Sequence, residues 1–199
     1  MSANSFYMND SVAMQEVLTE NNYKWVSSSN GRILTEDPCY KIKMSSPYSC
    51  YSNISRIDEC ENLIVSAMHY INQINFYNYK TGKRFSACVG SITASQNILD
   101  KETGLSKWVY YADLQVTDKN IYALYLNQDY KDAYEKKKKV ELHVFGKDGT
   151  LHEILSFDQY IIGISVDMSH GILYGLSYDD CIYAYDIRNN GRFVASQRV

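Results

Sequence analysis

Proline is almost missing from this 199-residue chain, with 2 in all, and glycine is sparse at 10. Collagen-like and proline-rich extended chains are thereby excluded. Long apolar runs are missing as well, so no membrane span is expected. The opening Met1 to Asp10 has neither a basic start nor an apolar stretch, and no signal peptide is visible in it. Basic charge is not in excess: the net charge is −3. Without a global positive field to hold a phosphate backbone, nucleic acid is not an expected partner. Cysteine pairs are missing too. Cys39, Cys50, Cys60, Cys88 and Cys181 are scattered with no Cys-x-x-Cys spacing, which indicates neither a zinc site nor a complete disulfide framework. They read as small buried apolar residues. Phosphate-binding glycine loops, His-Glu-x-x-His and Gly-x-Ser-x-Gly elbows do not occur. No catalytic residue, metal ligand set or cofactor is assigned.

What is abundant is tyrosine, at 19 residues, in a chain that is 45% hydrophobic and 22% charged. That balance is globular, and tyrosine favours a pleated surface where its ring packs and its hydroxyl reaches water. The apolar residues alternate in short runs that recur. Ile74-Asn75-Phe76-Tyr77, Leu142-His143-Val144-Phe145 and Ile182-Tyr183-Ala184-Tyr185 each lead into a turn, at Gly82, Gly149 and Gly191. Upstream of them lie Leu63 to Ala67, Ile121 to Tyr125 and Ile172 to Leu176. Further upstream are Ile54 to Asp58, Asp113 to Asp118 and Ile162 to Asp167, each closed by an aspartate suited to accept backbone N–H bonds in the following turn. Arg84 to Ala87, Leu151 to Leu155 and Phe193 to Ala195 supply a further strand each.

Four short strands per unit, repeating every 40 to 50 residues or so, predict an all-β chain of propeller-type blades. A single β-propeller-like domain over 1–199 is expected, with blades at 54–90, 110–157 and 160–199, an inter-blade insertion at 91–109 and a degenerate N-terminal blade at 1–53. In that first part Tyr23 to Val26, Ile33 to Leu34 and Tyr40 to Met44 read as strands, and Met8 to Glu20 as loop or helix. Three clear repeats and a degenerate one are expected to make an incomplete propeller, whose open blade edges imply either a homo-oligomer or a truncated domain of limited stability.

The stretches Tyr110-Tyr111-Ala112-Asp113-Leu114, Ile121 to Tyr125, Val144 to Gly149, Ile164 to Asp167 and Leu173 to Leu176 resemble bacterial TolB-like six-bladed β-propeller proteins, over roughly Ile54 to Val199. The resemblance is to the C-terminal blades of such a propeller and implies a periplasmic or cell-envelope location. It implies no agreed activity.

Candidate ligand-binding residues are Tyr111, Asp113, Tyr130 and Tyr160, because tyrosine offers an apolar face and one hydrogen bond at little entropic cost. Tyr130 lies in the lengthened hairpin from Asn127 to Lys139, where the run Lys136 to Lys139 reads as a solvated flank. The leading expectation is a non-enzymatic binding module whose blade loops take a protein, peptide or glycan. A hydrolase or lyase using metal-assisted chemistry at Asp113, Asp118, Asp167 or a histidine is the alternative, and an inactive piece of a larger propeller is the third reading. His69, His143, His152 and His170 are expected in surface or packing roles.

Overall fold

In the computed structural model the described residues are 5–9, 12–18, 23–27, 33–37, 52–90, 108–135, 138–188 and 197–198. They form four antiparallel sheets, each of four strands in chain order. The first comprises β1 (Ser5–Asn9), β2 (Val12–Leu18), β3 (Tyr23–Ser27) and β4 (Ile33–Asp37). The second comprises β5 (Asn53–Asp58), β6 (Leu63–Met68), β7 (Ile74–Asn78) and β8 (Arg84–Ala87). The third comprises β9 (Trp108–Val116), β10 (Asn120–Asp129), β11 (Glu141–Gly146) and β12 (Leu151–Ser156), with α1 (Tyr130–Tyr134) between β10 and β11. The fourth comprises β13 (Ile161–Asp167), β14 (Ile172–Ser177), β15 (Ile182–Asp186) and β16 (Gln197–Arg198).

Period-2 alternation puts buried residues on both faces of β6, β10 and β11, and the third sheet, which holds β10 and β11, is packed between two others. Between the second and third sheets Leu63, Val65, Ala67 and Phe76 meet Tyr111, Leu114, Ile121 and Phe145. Between the third and fourth, Tyr122, Leu124, Leu126 and Leu142 meet Ile161, Ile164, Leu173 and Tyr185. The second, third and fourth sheets stack as blades do, with their first strands β5, β9 and β13 as neighbours.

The turn chemistry follows the sequence in two blades of three. Asp58 Oδ1 accepts the N–H groups of Cys60 and Glu61 at 3.1 and 3.2 Å, and Asp167 Oδ1 those of Ser169 and His170 at 3.0 and 3.2 Å. In the third sheet the acceptor is Thr117, not Asp118: its Oγ1 receives the Asn120 N–H at 3.2 Å and donates to the Asn120 carbonyl at 2.9 Å. Asp118 falls inside the turn itself. Gly149 and Gly82 take φ of +83° and +74° as their tight turns demand.

Two other expectations are corrected, and a third is not reached by the described residues. Met8 to Glu20 is neither loop nor helix: its described residues belong to β1 and β2, paired from Ser5↔Gln15 to Asn9↔Val12. Met14, Gln15, Glu16 and Leu18 favour helix by intrinsic propensity, and pairing with β1 and β3 overrides it. Cys60 is exposed in a turn, whereas Cys181 is buried; Cys39 and Cys50 lie outside the described residues. The last strand of the fourth sheet is described at Gln197–Arg198, while the expected Phe193 to Ala195, like Tyr40 to Met44 and Gly191, lies outside the described residues.

Candidate functional site

Two β-bulges decide where the candidate residues point. Along β9 and β10, Leu124 pairs with Asp113 but Tyr125 pairs with Tyr111, so Ala112 is an extra residue on β9. A bulge re-aims side chains. Tyr111 and Asp113, which an unbroken strand would place on one face, therefore face opposite blades. Tyr111 is fully buried against the second sheet, with its ring 5.1 Å from Tyr125 and edge-on to His143 at 6.0 Å. Its carbonyl contacts His69 Nδ1 at 2.7 Å. Burial, and then the nearby Tyr125 and Cys88, push its phenol well above the ordinary range, so it stays neutral.

Asp113 turns toward the fourth sheet. Its Oδ2 accepts the Ile164 N–H at 2.8 Å and its Oδ1 the Leu114 N–H at 2.8 Å, while Arg56 from the second sheet lies 3.5 Å away. One carboxylate thus ties the first strands of three successive sheets. It also borders a groove of about 300 Å³ lined by Gly163, Ser165, Tyr174, Leu176 and Ile182.

The second bulge lies between Tyr125 and Gln128, where Leu126 and Asn127 stand against Tyr110 alone. Asn127 takes φ +48°, a left-handed conformation that asparagine tolerates better than most residues. Its Oδ1 accepts the indole N–H of Trp108 at 2.9 Å. Beyond it, Asp129 caps α1 by accepting the Lys131 N–H at 2.7 Å. Lys138 returns over the Trp108 ring, 5.2 Å from its centre, with Asp132 at 3.7 Å. Lys138 is thus engaged while it and Lys139 stay exposed, in keeping with a solvated flank; Lys136 and Lys137 lie outside the described residues. Gln128, fully buried, donates to the Lys138 carbonyl at 3.4 Å and accepts from the Tyr160 hydroxyl at 3.4 Å. Tyr130 is the first residue of α1.

Of the four sequence candidates, Tyr130 and Tyr160 are placed at this end of the third and fourth sheets, and Tyr111 and Asp113 build the interior. Tyr160 precedes Ile164 by four residues on the way along β13, about 13 Å at the rise of a strand. Trp108, Asn127 and Gln128 were missed, because a pairing irregularity leaves no mark in hydrophobic alternation. The tryptophan beside a lengthened hairpin was the available signal.

The aspartates do not converge. Asp58 pairs with Lys147 across two sheets, Asp167 contacts His170 Nδ1 at 2.6 Å, and Asp118 occupies a separate turn. Among the described residues no three of His, Cys, Asp or Glu are grouped as metal ligands would be. His143 is enclosed, His152 and His170 are exposed and His69 is half-buried. No described helix is long and apolar enough to cross a membrane.

No protein-family profile and no curated protein matches the sequence. Solved structures do match, as folds. The Cps50 (Swd1) β-propeller domain of Myceliophteria thermophila is 11% identical with a TM-score of 0.51, over 94% of this chain and 54% of that one. KlHsv2 with its loop 6CD replaced by a Gly-Ser linker is 6% identical with a TM-score of 0.53, over 99% and 52%. The extracellular domain of BT4673 from B. thetaiotaomicron, a putative one-component system, is 9% identical with a TM-score of 0.51, over 86% and 18%. The chain therefore spans about half the length, or less, of these structures. At such identities the likeness concerns fold alone: this is a β-propeller-like chain, related in architecture to propellers of several kinds and not to the TolB-like six-bladed family in particular.

Proposed function

We propose that this chain is a non-enzymatic protein-interaction module, which takes a protein or peptide partner at the end of the third and fourth sheets marked by Trp108, Tyr130, Lys138 and Tyr160. The observation that carries it is the Asn127 bulge. A left-handed asparagine that holds an indole by its N–H, beneath a lysine, fixes an aromatic and cationic edge in advance of binding, and preorganisation lowers the entropic cost of association. Support for the non-enzymatic part is that Asp113 and Asp167 are each occupied separately with backbone or turn contacts, while Asp118 lies in a turn of its own. The TolB-like resemblance adds an envelope location to the proposal, to be tested by fractionation of the native host.

The test takes a partner captured by crosslinking and measures its binding by calorimetry to the wild type and to Trp108→Ala, Tyr130→Ala and Lys138→Glu. Loss of at least about tenfold, roughly 1.4 kcal/mol, is expected for Trp108→Ala, as for an aromatic hot spot. Unchanged affinity in all three folded variants would remove this end from the interface. Binding to immobilised glycans alone, lost in the same variants, would favour a glycan ligand instead.

A further inference from the structure

The backbone ladder between β10 and β11 ends at Tyr125↔Glu141, so strand pairing does not hold the limb of the long hairpin that returns at Lys138. What meets the backbone of that limb is a side chain: the Gln128 amide donates to the Lys138 carbonyl at 3.4 Å. The Lys138 ammonium has only weak contacts, with Asp132 at 3.7 Å and the Trp108 ring at 5.2 Å, on a half-exposed side chain. A cation so loosely engaged keeps its place over the indole only while its backbone is fixed. The same amide has a second partner, the Tyr160 hydroxyl at the entry to β13, which donates to its oxygen at 3.4 Å. Burial raises the Tyr160 phenol, so that hydroxyl keeps its proton. Gln128 itself has no solvent exposure, follows the left-handed Asn127 that holds Trp108, and pairs with Val109, the neighbour of Trp108 in β9. An apolar side chain of the same length would fill this space with no polar group to satisfy; what the amide adds is direction, one bond to each limb of the edge.

We infer that Gln128 is the positioning residue of this edge: buried too deeply to touch a partner, it sets Lys138 over Trp108 on the third sheet and ties both to Tyr160 at the entry to the fourth. The inference rests on the reading of this end as the partner site and assigns to it a residue that lies beneath the surface. Its consequence is coupling between the two sides of the edge, so that a change at Tyr160 is felt at Trp108 through one side chain.

Fluorine NMR of the chain carrying 5-fluorotryptophan tests it. There are 2 tryptophans, Trp25 and Trp108, and Trp108→Phe assigns the resonance of the second. Gln128→Met keeps the length of the side chain and removes both bonds. It should move the Trp108 resonance toward its position in urea, while the Trp25 resonance and the circular dichroism stay as in the wild type. Tyr160→Phe, which removes one hydroxyl, should move it the same way by less, and adding Tyr160→Phe to Gln128→Met should move it no further. A Trp108 resonance unmoved by Gln128→Met overturns the inference, and so do shifts from the two changes that simply add. If Gln128→Met loses its circular dichroism, Tyr160→Phe decides alone: a moved Trp108 resonance upholds the inference and an unmoved one overturns it. Failure of the partner reading is a separate result, because it is seen as unchanged affinity in Trp108→Ala whatever the resonance does.

Discussion

Acidification should weaken this fold through one side chain, His143. The ring has no solvent exposure and lies between the second and third sheets, 4.1 Å from the Tyr125 ring, edge-on to Tyr111 at 6.0 Å and to Phe145 at 6.1 Å. Its Nε2 lies 3.3 Å from Glu141 Oε2, and its Nδ1 is buried without a partner. The neutral tautomer that fits carries its proton on Nε2. Adding a second proton would bury an N–H at Nδ1 with nothing to accept it, and Tyr111 and Tyr125, whose phenols burial pushes up, the latter to about 12, supply no negative charge. Burial therefore lowers the imidazole from 6.5 to about 4. The Glu141 carboxylate acts in the opposite direction but is partly exposed and does not prevail.

Since the unfolded chain takes up this proton near pH 6.5 and the folded one only near 4, stability is unaffected above that window and falls as pH drops through it. At about 1.4 kcal/mol per unit, the loss approaches about 3 kcal/mol at pH 4 and then levels. That is a large share of the roughly 5 to 15 kcal/mol that holds a domain together. Asp167 and Asp186 have carboxyls lowered by their own hydrogen bonds, Asp186 to about 2, so they act below their ordinary 3.8 and outside this window. Urea unfolding between pH 7.5 and 4.5 should show a decline in the wild type that His143→Phe removes. An equal decline in both proteins, or a His143 ring proton titrating near 6.5, would refute the reasoning.

Two further expectations concern contacts between sheets. Gly149→Ala should cost on the order of 2 to 4 kcal/mol, because φ is +83° and a Cβ would stand 2.8 Å from Phe85, itself stacked 4.6 Å from Phe76. Gly82→Ala, at φ +74° with nothing within 4 Å, should cost only the backbone strain of about 1 to 2 kcal/mol; equal losses in urea titrations would contradict the clash. Asp113→Ala should destabilise by about 2 to 3 kcal/mol through the orphaned Ile164 and Leu114 N–H groups. Arg56→Ala, which breaks a long, half-exposed ion pair and a hydrogen bond to the neighbouring Ser55 carbonyl, should cost under about 1 kcal/mol, and the reverse ranking would mean that charge pairing matters more than the backbone bonds.

Much of the fold was legible because alternation and turn chemistry are local. From Ile54 to Asp186 the expected strands fall within a few residues of those observed, and Asp58, Asp167, Gly82 and Gly149 serve the turns assigned to them. Legibility declined where local preference and tertiary pairing disagree. Val12–Leu18 is composed of residues that suit a helix equally well, and only its pairing with β1 and β3 makes it a strand. In the third sheet one residue separated the expected Asp118 from the working Thr117, since a threonine hydroxyl closes a turn as well as a carboxylate does.

The candidate site was less legible for a related reason, and the third sheet shows why. Grouping Tyr111 with Asp113 assumed that residues two apart on a strand share a face, which holds only while the pairing register is unbroken. The extra residue Ala112 reverses that relation: it sends the phenol into one interface and the carboxylate into the other. The same device at Leu126 and Asn127 turns the end of the blade so that Trp108 is held beneath Lys138. Both bulges lie in the one sheet that has described sheets packed on each side and that carries the lengthened hairpin. A regular strand pair would serve one interface well; two bulges let β9 and β10 serve both neighbours and still present an irregular end, and it is there that a partner's side chains would find shape as well as charge.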